Sequence, residues 1–295
     1  MLVSSNSKLM TVTLGRDVLF QYRRFSLYNS PYVAHNRGCA IDLYPGSETD
    51  SSADEAVPSP VAGEVLDVRS VRAPPKPYAA EHDYLVLVDT GSHVARLLHI
   101  EPTVEAGDVI DVGDPVGDLV RAGFFAPWVP NHIHLEFRPP EANPYRASGS
   151  LPLSVDVRME PVPWDGTGTV AEVGETYVVL DAPAHPDPGS WIGIADDSGS
   201  FALDGGLPHY DGGGAHGNGA TETRSVSLLG EHIGTATGRD LAWDGIEVLA
   251  NGVPITGLSL FLTRIEMGAK LVRPGHGFEI GDEVKVTIGP GSSPA

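Results

Sequence analysis

Two imidazoles stand two positions apart in the stretch Asn131 to Phe137, which reads Asn-His-Ile-His-Leu-Glu-Phe. Ile133, Leu135 and Phe137 alternate with His132, His134 and Glu136, the period of a strand with one buried face. Residues i and i+2 on a strand point to the same side, about 6.6 Å apart along it. His132 and His134 therefore share a face, and Ile133 anchors the strand from the other. At that spacing one imidazole can ligate a metal while its neighbour handles a proton. Glu136 shares the face as well; it can partner His134, although a solvated carboxylate is the plainer reading. A His-x-His pair alone is more often structural than functional, so its weight comes from the sequence before it.

The rest of the chain must supply the sheet that holds such a pair. Glycine (35) and proline (25) are plentiful, and long helical periodicity is absent. Apolar residues alternate or come in short runs between turn signals, which reads as mostly β. Strands are expected over Met10 to Phe20 and Gln21 to Tyr28, and Pro58 to Arg69 reads as a turn followed by a strand. Tyr84 to Asp89 and His93 to Ile100 form a hairpin through Thr90-Gly91-Ser92. Gly46 to Ala56 reads as an exposed acidic loop, residues 70–82 as a proline-rich loop, and Val104 to Val120 as a run of tight turns. Phe124, Phe125 and Trp128 flank the His-x-His strand and suit a substrate groove or a core about equally. Composition shifts after Pro139-Pro140, which places a domain boundary near residue 148. Residues 1–147 then form one β domain. Residues 148–295 form a second all-β domain, a sandwich or barrel, with Gly205 to Gly219 as a glycine-rich loop.

Charge and cysteine usage narrow the function classes. The 295 residues carry 39 acidic and 19 basic side chains, a formal net charge of −20. There is no basic patch of the kind nucleic acid requires. No run of about 18 apolar residues exists to span a membrane. The opening Met-Leu-Val-Ser-Ser-Asn-Ser-Lys lacks a basic region followed by an apolar run, so no secretory signal is visible. Cys39 is the single cysteine, which permits no intrachain disulfide. The expectation is a cytoplasmic, reducing compartment. Lysine is scarce and acid is spread along the chain, as in proteins of salt-adapted organisms, where salt screens the self-repulsion. An acidic mesophilic protein is the plain alternative.

From His35 to Arg138 the sequence resembles the M23 family of zinc metallopeptidases, the lysostaphin-like endopeptidases. Four pieces match in order. Ala40-Ile-Asp-Leu-Tyr-Pro45 is similar to the family's Gly-Ile-Asp-Ile-Ala-x-Pro segment, with Asp42 at the metal-binding aspartate. Pro60-Val-Ala-Gly-Glu-Val65 is similar to the family's turn into Gly-x-Val. Tyr84 to Ile100 resembles the hairpin that ends in Tyr-x-His-Leu, with His99 at the first catalytic histidine. Val104 to Gly117 resembles the glycine-punctuated stretch before the His-x-His strand. The match spans about a third of the chain. It implies an all-β fold with an M23 peptidase-like sheet of the barrel-sandwich hybrid type. It also implies Zn2+ as cofactor, His134 on the metal, His132 and His99 in catalysis, and a peptide or peptide-crosslinked substrate.

The sequence departs from the family at one ligand. The family's first histidine lies four residues before the aspartate, and Gly38 occupies that position. His35 is seven residues before Asp42, and a bulge through Asn36-Arg37-Gly38 would return it to the metal, since glycine makes such a turn cheap. Cys39 is the weaker substitute, because on a strand it faces away from Asp42. With His35, Asp42 and His134, zinc has three protein ligands and an open fourth position, as expected of a catalytic site.

Other residues have plainer readings. His82 and His93 should face solvent. His209 and His216 with Asp211 offer a second metal site, but a mobile surface loop is the better reading of that segment. Asp111, Asp114 and Asp118 are turn acids. Two other function classes compete with the hydrolase. One is a degenerate M23-like module that binds a partner or polymer without cutting it, favoured by the displaced first histidine and the missing secretory signal. The other is a biotinyl or lipoyl carrier, disfavoured because Lys76, in a proline-rich loop, is the only lysine between residues 58 and 138.

Overall fold

The computed structural model describes residues 11–46, 56–217 and 222–291. Met10 and most of the expected acidic loop lie outside them. Within them the protein is almost entirely β; the helices are the single turns Arg16–Leu19 and Val33–Asn36. No helix among the described residues is long and apolar enough to cross a membrane.

The alternation in the His-x-His segment organises the first sheet. Ile133, Leu135 and Phe137 are buried in one core with Leu27, Ile41, Leu43 and Leu97. The strand Ile133–Arg138 runs antiparallel between Ala40–Tyr44 and Val94–Leu98. His134 lies opposite Asp42 on one side and Leu98 on the other. Asp42 in turn lies opposite Ser26 of the strand Arg24–Ser26. Directly opposed residues project on the same face of a sheet. Ser26, Asp42, His134 and Leu98 therefore form one row, with neighbouring strands about 4.8 Å apart.

This sheet has ten strands, in the order Met159–Val162, Trp191–Ile194, Leu262–Thr263, Arg24–Ser26, Ala40–Tyr44, Ile133–Arg138, Val94–Leu98, His82–Asp89, Gly63–Arg72 and Val109–Ile110. The first three come from the C-terminal half. Leu262–Thr263 pairs with Arg24–Ser26, so the sheet continues across both halves. The seam is filled by Trp191, whose ring lies 4.7 Å from that of Phe25 and 6.3 Å from that of Phe20. Truncating a buried ring of this size costs about 3–5 kcal/mol. A second sheet of twelve strands, all from residues 167–290, packs around Val170, Leu203, Ile233, Val248, Leu271 and Val286.

Two sequence expectations are corrected. The segment Met10 to Phe20 is not one strand. Only Val12–Leu14 is extended, and Arg16–Leu19 turns helical after Gly15. Gly205 to Gly219 is not a loop as far as it is described. Ala202–Leu207 and Gly212–His216 are paired antiparallel strands, and nearly every residue in them is buried. Glycine serves close approach here: a Cβ at Gly214 would run into the ring of Tyr28 from the other half.

Candidate metal centre

A one-turn helix returns His35 to the site. His35 lies on Val33–Asn36, and Gly38 follows with φ +56°, the left-handed region. The Gly38 N–H donates to the His35 carbonyl at 2.9 Å, and the Cys39 N–H to the Ala34 carbonyl at 2.7 Å. This reversal closes the helix end and feeds the chain into the strand of Asp42. Cys39 stays out of the cluster; its Sγ lies 3.4 Å from the Arg37 carbonyl.

Three candidate ligand atoms converge. His35 Nε2 is 3.1 Å from His134 Nδ1 and 3.3 Å from Asp42 Oδ1, and His134 Nδ1 is 2.9 Å from Asp42 Oδ1. Donor atoms held at zinc's usual N and O distances in a tetrahedron stand about 3.3–3.5 Å apart. The triangle therefore fits one zinc-sized ion after a small outward relaxation, and the donor set suits zinc. His35, Asp42 and His134 are all buried.

Each imidazole of the triangle is held in one tautomer by a second partner. His35 Nδ1 lies 2.8 Å from the Leu27 carbonyl, so it carries the proton and leaves Nε2 a lone pair. His134 Nε2 donates to Glu136 Oε1 at 2.8 Å, which frees Nδ1. The plainer reading of Glu136 as solvated is thus corrected. It is 5% exposed and accepts from Arg96 Nη1 at 2.5 Å, Arg138 Nη2 at 2.7 Å and Ser150 Oγ at 2.8 Å. Burial pushes its carboxyl up, but His134, Arg96 and Arg138 outweigh that and hold it well below the usual range. In the metal-free site burial favours neutral His134, yet Asp42 and Glu136 outweigh it and raise its pKa to about 9. Asp42 is likewise buried but held well below its ordinary value by His132, His35 and His134.

Two further rings flank the triangle. His132 Nδ1 donates to the Pro130 carbonyl at 2.8 Å, and its Nε2 lies 3.5 Å from Asp42 Oδ1. Burial lowers its pKa to about 3, so the ring stays neutral. The centroid of His99 is 5.0 Å from that of His132 and 5.8 Å from that of His134. His99 has φ +70°, rare for a residue with a Cβ. Asp83 holds it there, accepting from the His99 backbone N–H at 3.0 Å and from Nδ1 at 2.6 Å. Such a conformation costs on the order of 1–3 kcal/mol and persists only where surrounding structure enforces it.

Sequence reasoning missed Asp83, because the expected strand began one residue later. Hairpin arithmetic carried the signal. Leu85 opposes Leu98, and continuing that register puts Tyr84 across from His99 with Asp83 beside it, across from Ile100.

A cavity opens over these rings. Tyr32, Phe124, Phe125 and Tyr210 line it, with Val33 at 62% exposure beside it. Phe125 also packs on His99 and His132, so it serves groove and core together. Tyr210 is contributed by the C-terminal half.

The other histidines of that half do not form a loop site. His216 is 3% exposed, with Nε2 3.4 Å from Asp204 Oδ2. His209 packs against Trp128 and Tyr210, and neither ring nitrogen has a hydrogen-bond partner among the described residues. Burial lowers the His209 pKa to about 4. The unfolded chain takes up this proton near pH 6.5, about 2.5 units above the folded value, so stability is full above pH 6.5 and falls between there and pH 4. The loss amounts to roughly 3 kcal/mol. His209→Phe should therefore flatten the pH dependence of the thermal midpoint over that window. An unchanged slope would show that His209 does not set it.

Residues 13–155 match the family model described as domain of unknown function (DUF8155), N-terminal domain, and residues 160–289 match its C-terminal domain. No curated protein matches. Among solved structures the chain is similar to the NMR solution structure of lysostaphin, at 12% identity over 87% of this chain and 92% of that one, with a TM-score of 0.27. It is also similar to the antimicrobial peptidase lysostaphin from Staphylococcus simulans, at 13% identity over 90% and 96%, with a TM-score of 0.26.

Proposed function

We propose that this chain, which belongs to the DUF8155 family, is a zinc-dependent hydrolase of the M23 type that cleaves peptide bonds. The observation that carries the reading is the convergence of His35 Nε2, Asp42 Oδ1 and His134 Nδ1, each imidazole already fixed by a second partner. A bound zinc ion supplies Lewis acidity, lowering the pKa of a water to about 7 and polarising a carbonyl oxygen.

The chain's own residues do the rest. Asp83 accepts a hydrogen bond from the Nδ1–H of His99, so Nε2 is the nitrogen free to accept a proton from water and return it to the leaving amine. Asp83 also stabilises the imidazolium formed in between, as in other Asp-His pairs. His132, kept neutral by burial with its Nδ1 proton on Pro130, presents Nε2 as an acceptor that orients the water. The apolar walls of Tyr32, Phe124 and Phe125 suit a peptide with an apolar side chain beside the scissile bond. A chain of net charge −20 repels acidic peptides at low salt.

The competing binding module drew part of its support from the displaced first histidine, and the Val33–Asn36 turn, which brings His35 to Asp42, weighs against that part. The test is metal analysis with a peptide library. Stoichiometric zinc is expected, with hydrolysis lost on chelation and restored by zinc. Absence of zinc uptake would overturn the metal site. Zinc uptake without cleavage of any peptide would favour the binding module.

A further inference from the structure

We propose that Asp204, in the C-terminal half, is a positioning residue for the metal centre; this rests on the reading of His35, Asp42 and His134 as metal ligands. Asp204 lies on Ala202–Leu207 and is fully buried. Its Oδ1 accepts from Ser26 Oγ at 2.5 Å, and its Oδ2 accepts from the Leu27 backbone N–H at 2.8 Å. These are the two residues on which the ligands lean. Ser26 is the register partner of Asp42. The Leu27 carbonyl accepts a hydrogen bond from the Nδ1–H of His35. Leu27 is thus gripped at both ends, its N–H by Asp204 and its carbonyl by a metal-ligand ring. Ser26 Oγ also accepts from the backbone N–H groups of Tyr28 and Asn29, at 3.2 and 2.9 Å, which fixes the segment's direction.

The same half braces the other end of the His35 turn. Arg239 Nη2 donates to the Leu153 carbonyl at 2.9 Å and the Gly38 carbonyl at 3.4 Å, and its Nε donates to Tyr28 Oη at 2.8 Å. Tyr28 Oη donates in turn to Asp240. A buried carboxylate is costly, and apolar side chains of similar volume often stabilise a seam as well. Asp204 Oδ2 also lies 3.4 Å from His216 Nε2 within its own half. Across the seam it fixes the Ser26–Leu27 peptide, and through Leu27 the carbonyl on which the His35 ring leans.

A partner bonded directly to a ligand typically changes metal affinity about 10–100-fold, and Asp204 acts one residue further out, through Leu27. The experiment measures zinc affinity of the full chain by chelator competition, and the visible spectrum of the cobalt-substituted protein, for wild type, Asp204→Ala, Asp204→Asn and the control Val286→Ala. Val286 is buried in the C-terminal core on Glu283–Pro290, a strand that pairs with neither Ala202–Leu207 nor Asp240–Trp243. Asp204→Ala should weaken zinc binding about 10-fold, the low end of that range, and alter the cobalt bands, with Asp204→Asn between it and wild type. Val286→Ala should lower the thermal midpoint yet keep zinc affinity and spectrum. A folded Asp204 variant with wild-type affinity overturns the proposal, as does equal weakening by Val286→Ala. If Asp204→Ala does not fold, Asp204→Asn decides. Wild type that takes up no zinc would instead overturn the metal reading, and the proposal with it.

Discussion

His134→Ala should fold, take up no zinc at low micromolar concentration and hydrolyse no peptide. The side chain lies opposite the face that Ile133 and Leu135 bury, so its removal leaves the core intact. What it removes is Nδ1 at one corner of the triangle, together with the Nε2–H that partners Glu136. Losing an outer partner of a metal ligand costs about 10–100-fold in affinity, and losing the ligand itself must cost more. Zinc content after dialysis, compared with the thermal midpoint, separates this outcome from unfolding. A folded variant retaining stoichiometric zinc would place the ion elsewhere.

Asp83→Asn should do the opposite: keep zinc and lose turnover. Asparagine at this position presents an N–H₂ to His99 Nδ1 and drives the ring to the wrong tautomer, with the proton on Nε2. In the serine-protease triad the equivalent change lowers kcat about 10⁴-fold with geometry intact. A fall in kcat of about 10³–10⁴-fold is expected here, with KM and zinc content little changed. Turnover near that of wild type would remove His99 from proton transfer. The variant also tests the strained backbone at His99, because asparagine can still accept the backbone N–H.

The local pattern of the sheet was legible because strand alternation is a short-range signal. Asn131 to Phe137 alone specified which side chains enter the apolar core and which share the site face, but not that the site face is buried as well. The proposed ligand set was legible in part. Asp42 and His134 followed from the match to the family's segments. His35 required a turn whose cost only Gly38 could keep low. Glu136 sits two residues from His134, yet one sequence cannot say that Arg96 and Arg138 arrive from elsewhere to neutralise it. Asp83 was missed through a strand boundary set two residues late, at Tyr84 instead of His82. The Gly205 to Gly219 segment misled for a physical reason. Glycine normally signals a loop, but here Tyr28 needs bare backbone to pack against. Asp204 carried no local signal, because its partners lie about 180 residues earlier in the chain.

The continuation of the ten-stranded sheet across both halves has a consequence for anyone excising the N-terminal piece. Severed near residue 155, that fragment would lose Leu262–Thr263 and with it the neighbour that closes off Arg24–Ser26. It would also lose Trp191, leaving Phe25 against a hole. A raw strand edge beside bared aromatic surface is an adhesive template for other chains. The isolated piece would then clump through the same strand that carries Ser26.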